Sequence, residues 1–443
     1  MVQMLEICRS REDAKPYNLH HLIFPSGVKC PQNHIWYACS VLLDSLGLNQ
    51  NIDFPEIKSS PAVTFQKLPL FHLIQENEPK RNTNQHMNTV LIFSGKKYDR
   101  PSYTLSTFIP SQTVNFYLAL RAFNISLSMI PDTISTPTVG LMRLQFWRDT
   151  ITRTLAGSPP REPIAILLAS ALSDLDTRTQ ANGGARISKS WFLRMINSRE
   201  QYLTNTPYTT ISTLESYAEN TYSTLLYLTL SALPLTSLTA DHLASHIGKA
   251  AGISAVLRGI PLIAFPPPPS HHFKQAGGLD GLRGGGNGAP TRSGAITLPL
   301  DVMAETGLKE EDVFRHGAEA PGLRDAVFTV ATRASDHLIT ARQMLTNLRG
   351  GKDVGHGFEH EGEEGHEYAN TNSNAKGNGG TSNLDVQLEE VERAFGVLMP
   401  AVSTSLWLDR LQAVDFDIFK PELRMFDWKL PWKAYWAHRR RTF

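Results

Sequence analysis

The sequence predicts an all-α fold, and three observations carry that reading. After Lys96, apolar residues recur at three- and four-residue spacing through most of the chain, which is the helical period. No segment sustains the period-two alternation of a half-buried strand. Helix-start signals stand where the periodic runs begin: Thr138 before Val139–Ile151, Ser188 before Trp191, and Thr239-Ala240-Asp241 before His242–Gly259.

Residues 1–95 are the exception. Pro16, Pro25, Pro31, Pro55, Pro61, Pro69 and Pro79 interrupt any periodicity, and polar stretches separate short apolar runs. The segment reads as a poorly structured extension, either a variable targeting region or a wrongly assigned start. Its early acids, Glu6, Glu12 and Asp13, do not fit a transit peptide, and no basic stretch leads into an apolar run as in a secretory signal. From Lys96 the chain changes character. Arg100–Pro110 is aromatic and rich in Ser and Thr. A helical pattern then opens at Pro110-Ser111 with Val114, Tyr117, Leu118, Ala122 and Ile125. Similar patterns cover 138–156, 163–175, 187–202, 210–232, 240–259, 301–316, 321–349 and 384–412.

Two stretches interrupt this helical domain, which spans 96–427. Residues 266–294 hold four consecutive prolines and eight glycines, and residues 350–383 hold nine glycines with many Asn and His. Neither buries enough apolar surface to offset the entropy of ordering, so both read as disordered loop insertions. His356, His360 and His366 lie among glutamates in the second, but a tract without fixed geometry makes a poor metal site. A basic, Trp-rich tail, 428–443, closes the chain.

Composition excludes several function classes. Lys+Arg 43 against Asp+Glu 42 leaves a formal charge of +1, so the chain is not a globally basic nucleic-acid binder. No unbroken run of 18 apolar residues marks a transmembrane helix. The three cysteines, Cys8, Cys30 and Cys39, leave the rest of the chain without a disulfide framework.

Four segments, in order, carry a resemblance. Tyr117–Asp132 (YLALRAFNISLSMIPD), Tyr217–Leu226 (YAENTYSTLL), Gly248–Arg258 (GKAAGISAVLR) and Leu298–Asp312 (LPLDVMAETGLKEED) are similar to successive helices of the squalene/phytoene synthase family. The resemblance covers roughly 97–420 and implies a trans-isoprenyl-diphosphate-synthase-like helical bundle. Four further strings are Gly140–Trp147 (GLMRLQFW), Tyr217–Leu230, Ala240–Gly252 (ADHLASHIGKAAG) and Val414–Phe419 (VDFDIF). They resemble a branch of that family working in assembly of mitochondrial respiratory complex I. That branch implies a protein at the matrix side of the inner membrane, with complex I assembly intermediates as partners.

The synthase reaction needs magnesium to neutralise a diphosphate leaving group, and magnesium takes anionic oxygens in near-octahedral array. The family supplies them as D-D-x-x-D and R-D-x-x-x-D on two facing helices. Here the first pattern falls on Ser128-Met129-Ile130-Pro131-Asp132, keeping Asp132 alone. The second falls on Arg258-Gly259-Ile260-Pro261-Leu262-Ile263 and keeps no carboxylate. A hydroxyl and a thioether do not replace carboxylates for a hard cation. The expectation is a non-catalytic protein with no cofactor or metal, whose two helices are ended or kinked by Pro131 and Pro261. The competing expectation is a head-to-head prenyl transferase using Glu215, Glu219 or Asp132, or an isoprenoid carrier. Against it, Glu215 and Glu219 read as a solvated face, Asp241 as a helix cap, and His242 and His246 as packing or surface hydrogen bonding.

Two surfaces remain for binding. Arg143, Trp147, Tyr217, Glu219 and Arg258 are candidate contacts to a ligand or partner, although Trp147 reads as core and the two arginines as members of ion pairs. In the tail, Trp428, Trp432 and Trp436 recur every fourth residue. Lys429, Lys433, Arg439, Arg440 and Arg441 accompany them, with no acid after Asp427. Indole with cations is the composition of a membrane-interface anchor. Pro431 is expected to interrupt that helix early.

Overall fold

The computed structural model describes residues 95–134, 136–179, 187–235, 237–266, 294–352 and 380–443. Most of the N-terminal extension and of both glycine-rich insertions, with the His356/His360/His366 tract, lies outside the described residues. Among the described residues all regular structure is helical.

The first helix, α1 (Arg100–Leu105), lies in the Ser/Thr-rich stretch where periodicity gave no helix. Asp99 caps it by accepting from the Ser102 amide at 3.4 Å, and Pro101 sits in the first turn. The Thr104 and Ser106 hydroxyls donate to carbonyls of the same turn, so the polar side chains satisfy themselves locally. Helix α2 (Val114–Ser128) stops where Pro131 requires it, and Pro131 then sits in the first turn of the short α3 (Ile130–Thr133). Helix α4 (Pro137–Leu155) begins at Pro137 rather than at Thr138, because proline's fixed φ suits a first turn. Helices α5 (Pro163–Thr179) and α6 (Lys189–Gln201) follow. Ser188 caps α6 as expected, accepting from the Ser190 amide.

The predicted single helix over 210–232 is three pieces: α7 (Ile211–Ala218), a π-helical turn at Glu219–Ser223, and α8 (Thr224–Leu230). Composition carries no signal for such a turn. Thr224 Oγ1 donates to the Glu219 carbonyl at 3.0 Å, satisfying an acceptor that the widened turn loosens.

Helix α9 (Thr239–Ala264) is the hub. It packs against α7, the π turn and α8, against α12 (Leu323–Arg349), and against α13 (Gly380–Ala394) and α14 (Pro400–Ala413). Being apolar on all sides is what a helix surrounded by others requires. By length and composition alone it is also long and apolar enough to cross a membrane. Pro261 does not break it. The helix runs three residues further, with Ile260, Pro261 and Ala264 buried. A proline in the last turn removes one backbone bond, and the packing of the buried face holds the rest.

The predicted 301–316 helix is split into α10 (Leu300–Glu305) and α11 (Glu310–His316), with Gly307 at φ 68° between them. The tail is a helix, α15 (Leu430–Arg440), packed on α14 and α1. Pro431 lies in its first turn, so it starts the helix instead of interrupting it.

Candidate functional site

The two helix ends singled out in the sequence face one cavity. Ser128, Pro131 and Asp132 come from the end of α2 and from α3, and Gly259 and Ile263 from the last turns of α9. Four tyrosines, Tyr202, Tyr208, Tyr217 and Tyr222, line the rest together with Arg199 and smaller side chains such as Thr206, Ala255 and Thr297. The cavity holds about 160 Å³.

The π turn explains part of that wall. Tyr217 and Tyr222 are five residues apart, a spacing that an α-helix places about 140° apart in projection. A turn closed by i→i+5 bonds brings residues five apart back toward one face, so both rings line the cavity. The Tyr202 ring lies 4.5 Å from Tyr208 and edge-on to Tyr217 at 5.2 Å. Burial raises the pKa of Tyr208 and Tyr217, so both are neutral phenols. Arg199 reaches in from α6, donating through Nη2 to Asn124 Oδ1 at 3.0 Å and lying 5.6 Å from the Tyr217 ring centroid. Burial disfavours its charge, yet its pKa is raised among the polar oxygens of Tyr217, Tyr222 and Tyr208. Among the described residues Arg199 Nε and Thr297 Oγ1 are buried without a protein hydrogen-bond partner. Both residues line the cavity and give it a means to hold a small polar ligand. Of this wall the sequence reading singled out Tyr217, but missed Arg199, Tyr202, Tyr208, Tyr222 and Thr297.

The other acids point elsewhere. Glu215 is not on a solvated face. It accepts from Arg333 Nε, and from His337 Nε2 at 2.8 Å. Burial alone would raise its pKa, but these two bonds outweigh burial and hold it at about 2. His337 Nδ1 in turn faces His246 Nδ1 at 3.0 Å, and the His242 ring lies tilted beside His246 at 5.4 Å. Glu219 is buried inside the π turn, where Tyr227 donates to Oε1 and Ser245 to Oε2 at 2.9 Å; Lys249 Nζ is 3.8 Å away. Asp241 is buried in the first turn of α9, and the cap position belongs to Leu238. Glu215 and Glu219 tie neighbouring helices together, and neither they nor Asp241 line the cavity.

Comparison with known proteins fits this arrangement. The squalene/phytoene synthase family model matches residues 96–262 and 287–436. This chain belongs to the squalene/phytoene synthase family. It is 31% identical to the rat NADH dehydrogenase (ubiquinone) complex I assembly factor 6 over 77% of this chain and 78% of that protein. It is 30% identical to the human protein of that name, over 79% and 80%. Among solved structures, a dehydrosqualene synthase in complex with ligand superposes with a TM-score of 0.50 at 12% identity. That match covers 81% of this chain and 99% of the synthase. The all-α synthase-like architecture is therefore established.

The magnesium and diphosphate that the synthase reaction needs call for several anionic oxygens converging from two helices. Among the described residues lining the cavity, Asp132 is the one carboxylate, and the α9 wall offers Ala255, Val256, Gly259 and Ile263. These residues do not fit a magnesium–diphosphate group. Leu262 projects outward, 55% exposed, and Met129 caps α2.

The remaining candidates are dispersed. Trp147 is core, packed edge-on to Phe123 at 5.3 Å. Among the described residues neither expected arginine ion pair forms. Arg143 donates to Thr133 Oγ1 at 2.6 Å, and the Arg258 guanidinium lies 5.1 Å from the Trp407 ring centroid. The tail residues Trp428, Lys429, Trp432, Lys433, Trp436, Arg439, Arg440 and Arg441 lie on or beside α15, away from the cavity.

Proposed function

We propose that this protein is a non-catalytic member of its family that serves assembly of mitochondrial respiratory complex I. It acts at the matrix side of the inner membrane, and its partners are complex I assembly intermediates. The observation carrying this reading is the 30–31% identity, across about four fifths of both chains, to proteins named as complex I assembly factors. The cavity supports the non-catalytic part. Small-molecule pockets usually measure about 300–1,000 Å³, against about 160 Å³ here, and the wall has a single carboxylate. Prenyl transfer would need two long-chain diphosphates and magnesium together in that space.

The test is genetic. Deleting the chain in its own cell should deplete assembled complex I on native gels while the other respiratory complexes persist. Wild type and Asp132→Asn should both restore it. Uniform loss of all complexes, or magnesium-dependent turnover of a prenyl diphosphate that Asp132→Asn abolishes, would overturn the reading. A second reading, binding of a small polar ligand in the cavity without reaction, is favoured by Arg199 Nε and Thr297 Oγ1, which have no hydrogen-bond partner among the described residues. A ligand released on denaturing the purified protein, and lost in Arg199→Met, would support it.

A further inference from the structure

Helix α15 meets the body of the protein along one stripe. Leu430 and Ala434 are buried there, and the His438 ring lies 5.0 Å from Phe108. The end of the chain is fastened down by Arg342 Nε, which donates to the Phe443 main-chain oxygen at 2.8 Å, and by the Phe443 ring stacked 5.8 Å from Phe395. Among the described residues the opposite stripe has no such cover. Trp428 is 56% exposed, Trp432 53% and Trp436 48%. Residues 432, 435, 436 and 439 fall on that stripe by helical spacing, and Trp428 lies in the turn just before the helix.

A groove of about 440 Å³ runs between α15 and α14. Leu406, Trp432, Trp436 and Phe443 give it apolar walls, and Lys433 and Arg440 stand at its edge. Lys433 and Arg440 are both exposed, and the Arg440 guanidinium lies 5.3 Å from the Trp436 ring centroid. The local charge is one-sided. Lys429, Lys433, Arg439, Arg440 and Arg441 are basic, and no acid follows Asp427. The Lys433 ammonium has Asp409 3.8 Å away, but that pair is exposed on both sides and solvent-screened.

We propose that this groove is a binding site for an anionic phospholipid of a bilayer surface. The headgroup phosphate meets Lys433 and Arg440, and the start of an acyl chain lies against Trp432, Trp436 and Leu406. Three features select a lipid surface as the occupant. Indole rings favour headgroup depth, the cations complement an anionic leaflet, and the groove gives an acyl chain apolar walls. The helix is already folded and docked, so binding costs little ordering. The inference rests on the proposed placement at a membrane face and names the surface that makes the contact.

The test is flotation of the full-length protein with phosphatidylcholine vesicles, with and without added phosphatidylglycerol. Wild type should partition to the anionic vesicles and be released by salt. Lys433→Gln with Arg440→Gln should weaken partitioning about 25-fold, at roughly five-fold per cation near the surface. Trp432→Ala with Trp436→Ala should weaken it at any charge. All four side chains are exposed, and unchanged thermal melts confirm that the variants fold. No partitioning, equal partitioning to neutral and anionic vesicles, or unchanged binding by both variants overturns the inference. A chain that fails to float yet restores complex I overturns this site and leaves the proposed function standing. A chain that floats but does not restore complex I does the reverse.

Discussion

Gly248 of α9 touches Ser223 of the π turn backbone to backbone: a Cβ at 248 would fall 2.5 Å from the Ser223 amide nitrogen. One turn on, a Cβ at Gly252 would fall 2.5 Å from the Ala218 Cβ. The widened turn at Glu219–Ser223 needs this close approach, and the same turn sets Tyr217 and Tyr222 on the cavity wall.

Gly248→Ala should therefore destabilise the protein by about 1–3 kcal/mol or more, because the neighbour is backbone and cannot yield. Gly259, in the same helix, gives the opposite expectation. A Cβ there meets Ile263 Cδ1 at an ordinary 3.7 Å. Gly259→Ala should be neutral or stabilising by about 0.5–1 kcal/mol through helix propensity. Urea unfolding of the two variants beside wild type measures both. Equal effects would mean that α9 does not approach the π turn this closely.

Glu215 makes stability depend on pH. Its folded pKa is about 2 against an ordinary 4.5. A depressed carboxylate contributes stability above its unfolded pKa, and that contribution is lost as pH falls through the folded value. The sensitive window thus runs from about pH 5 to pH 2. Arg333 is nearly half exposed, so solvent screening reduces the gain, to about 1–3 kcal/mol. Glu215→Gln should be less stable than wild type at neutral pH, and the gap should shrink as the solution is acidified. A gap that stays constant across that range would exclude the Glu215–His337–Arg333 arrangement.

Asp99 serves two purposes at once. It caps α1 and holds the Arg121 guanidinium of α2, with both side chains mostly buried. Removing the acid leaves a desolvated cation without that partner. Asp99→Ala should cost about 3–5 kcal/mol, and Asp99→Ala with Arg121→Met should recover part of the loss. Thermal melts of the single and double variants supply the double-mutant cycle. Additivity of the two changes would show that the residues act independently.

Much of this architecture was legible in the sequence because helical periodicity and caps are local signals. Ser188 and the end of α2 at Pro131 are examples. The failures share a cause. Pro131 and Pro261 are the same residue type in similar motif positions, but one ends a helix and the other lies inside one. The difference is the packing around α9, which no local pattern reports. The π turn adds no distinctive composition, so Tyr222 was not recognisable as a wall residue. Arg199, Tyr202, Tyr208 and Thr297 come from separate segments and meet only through the fold. The convergence of Ser128, Asp132, Gly259 and Ile263 was expected, because the family resemblance already paired those two helix ends.

That convergence gives the last prediction. If the cavity has lost its metal-binding acids, magnesium with inorganic diphosphate should leave the melting temperature of the wild-type protein unchanged, since a ligand that does not bind the native state does not stabilise it. Restoring the acids should change this. Gly259 has room for a side chain, and Ser128 and Ile263 already face the cavity. Ser128→Asp, Gly259→Asp and Ile263→Asp together with Asp132 place four carboxylates on two facing helix ends, the donor set a hard dication takes. The triple variant should melt higher when magnesium and diphosphate are added, by an increment equivalent to about 2.7 kcal/mol once ligand reaches a hundred times its dissociation constant. Calcium, larger and less demanding in geometry, should give a different increment. A magnesium-dependent shift in the wild-type protein would mean that metal is held by groups other than these four positions. No shift in a triple variant that still folds would mean that the two helix ends do not converge closely enough to share an ion.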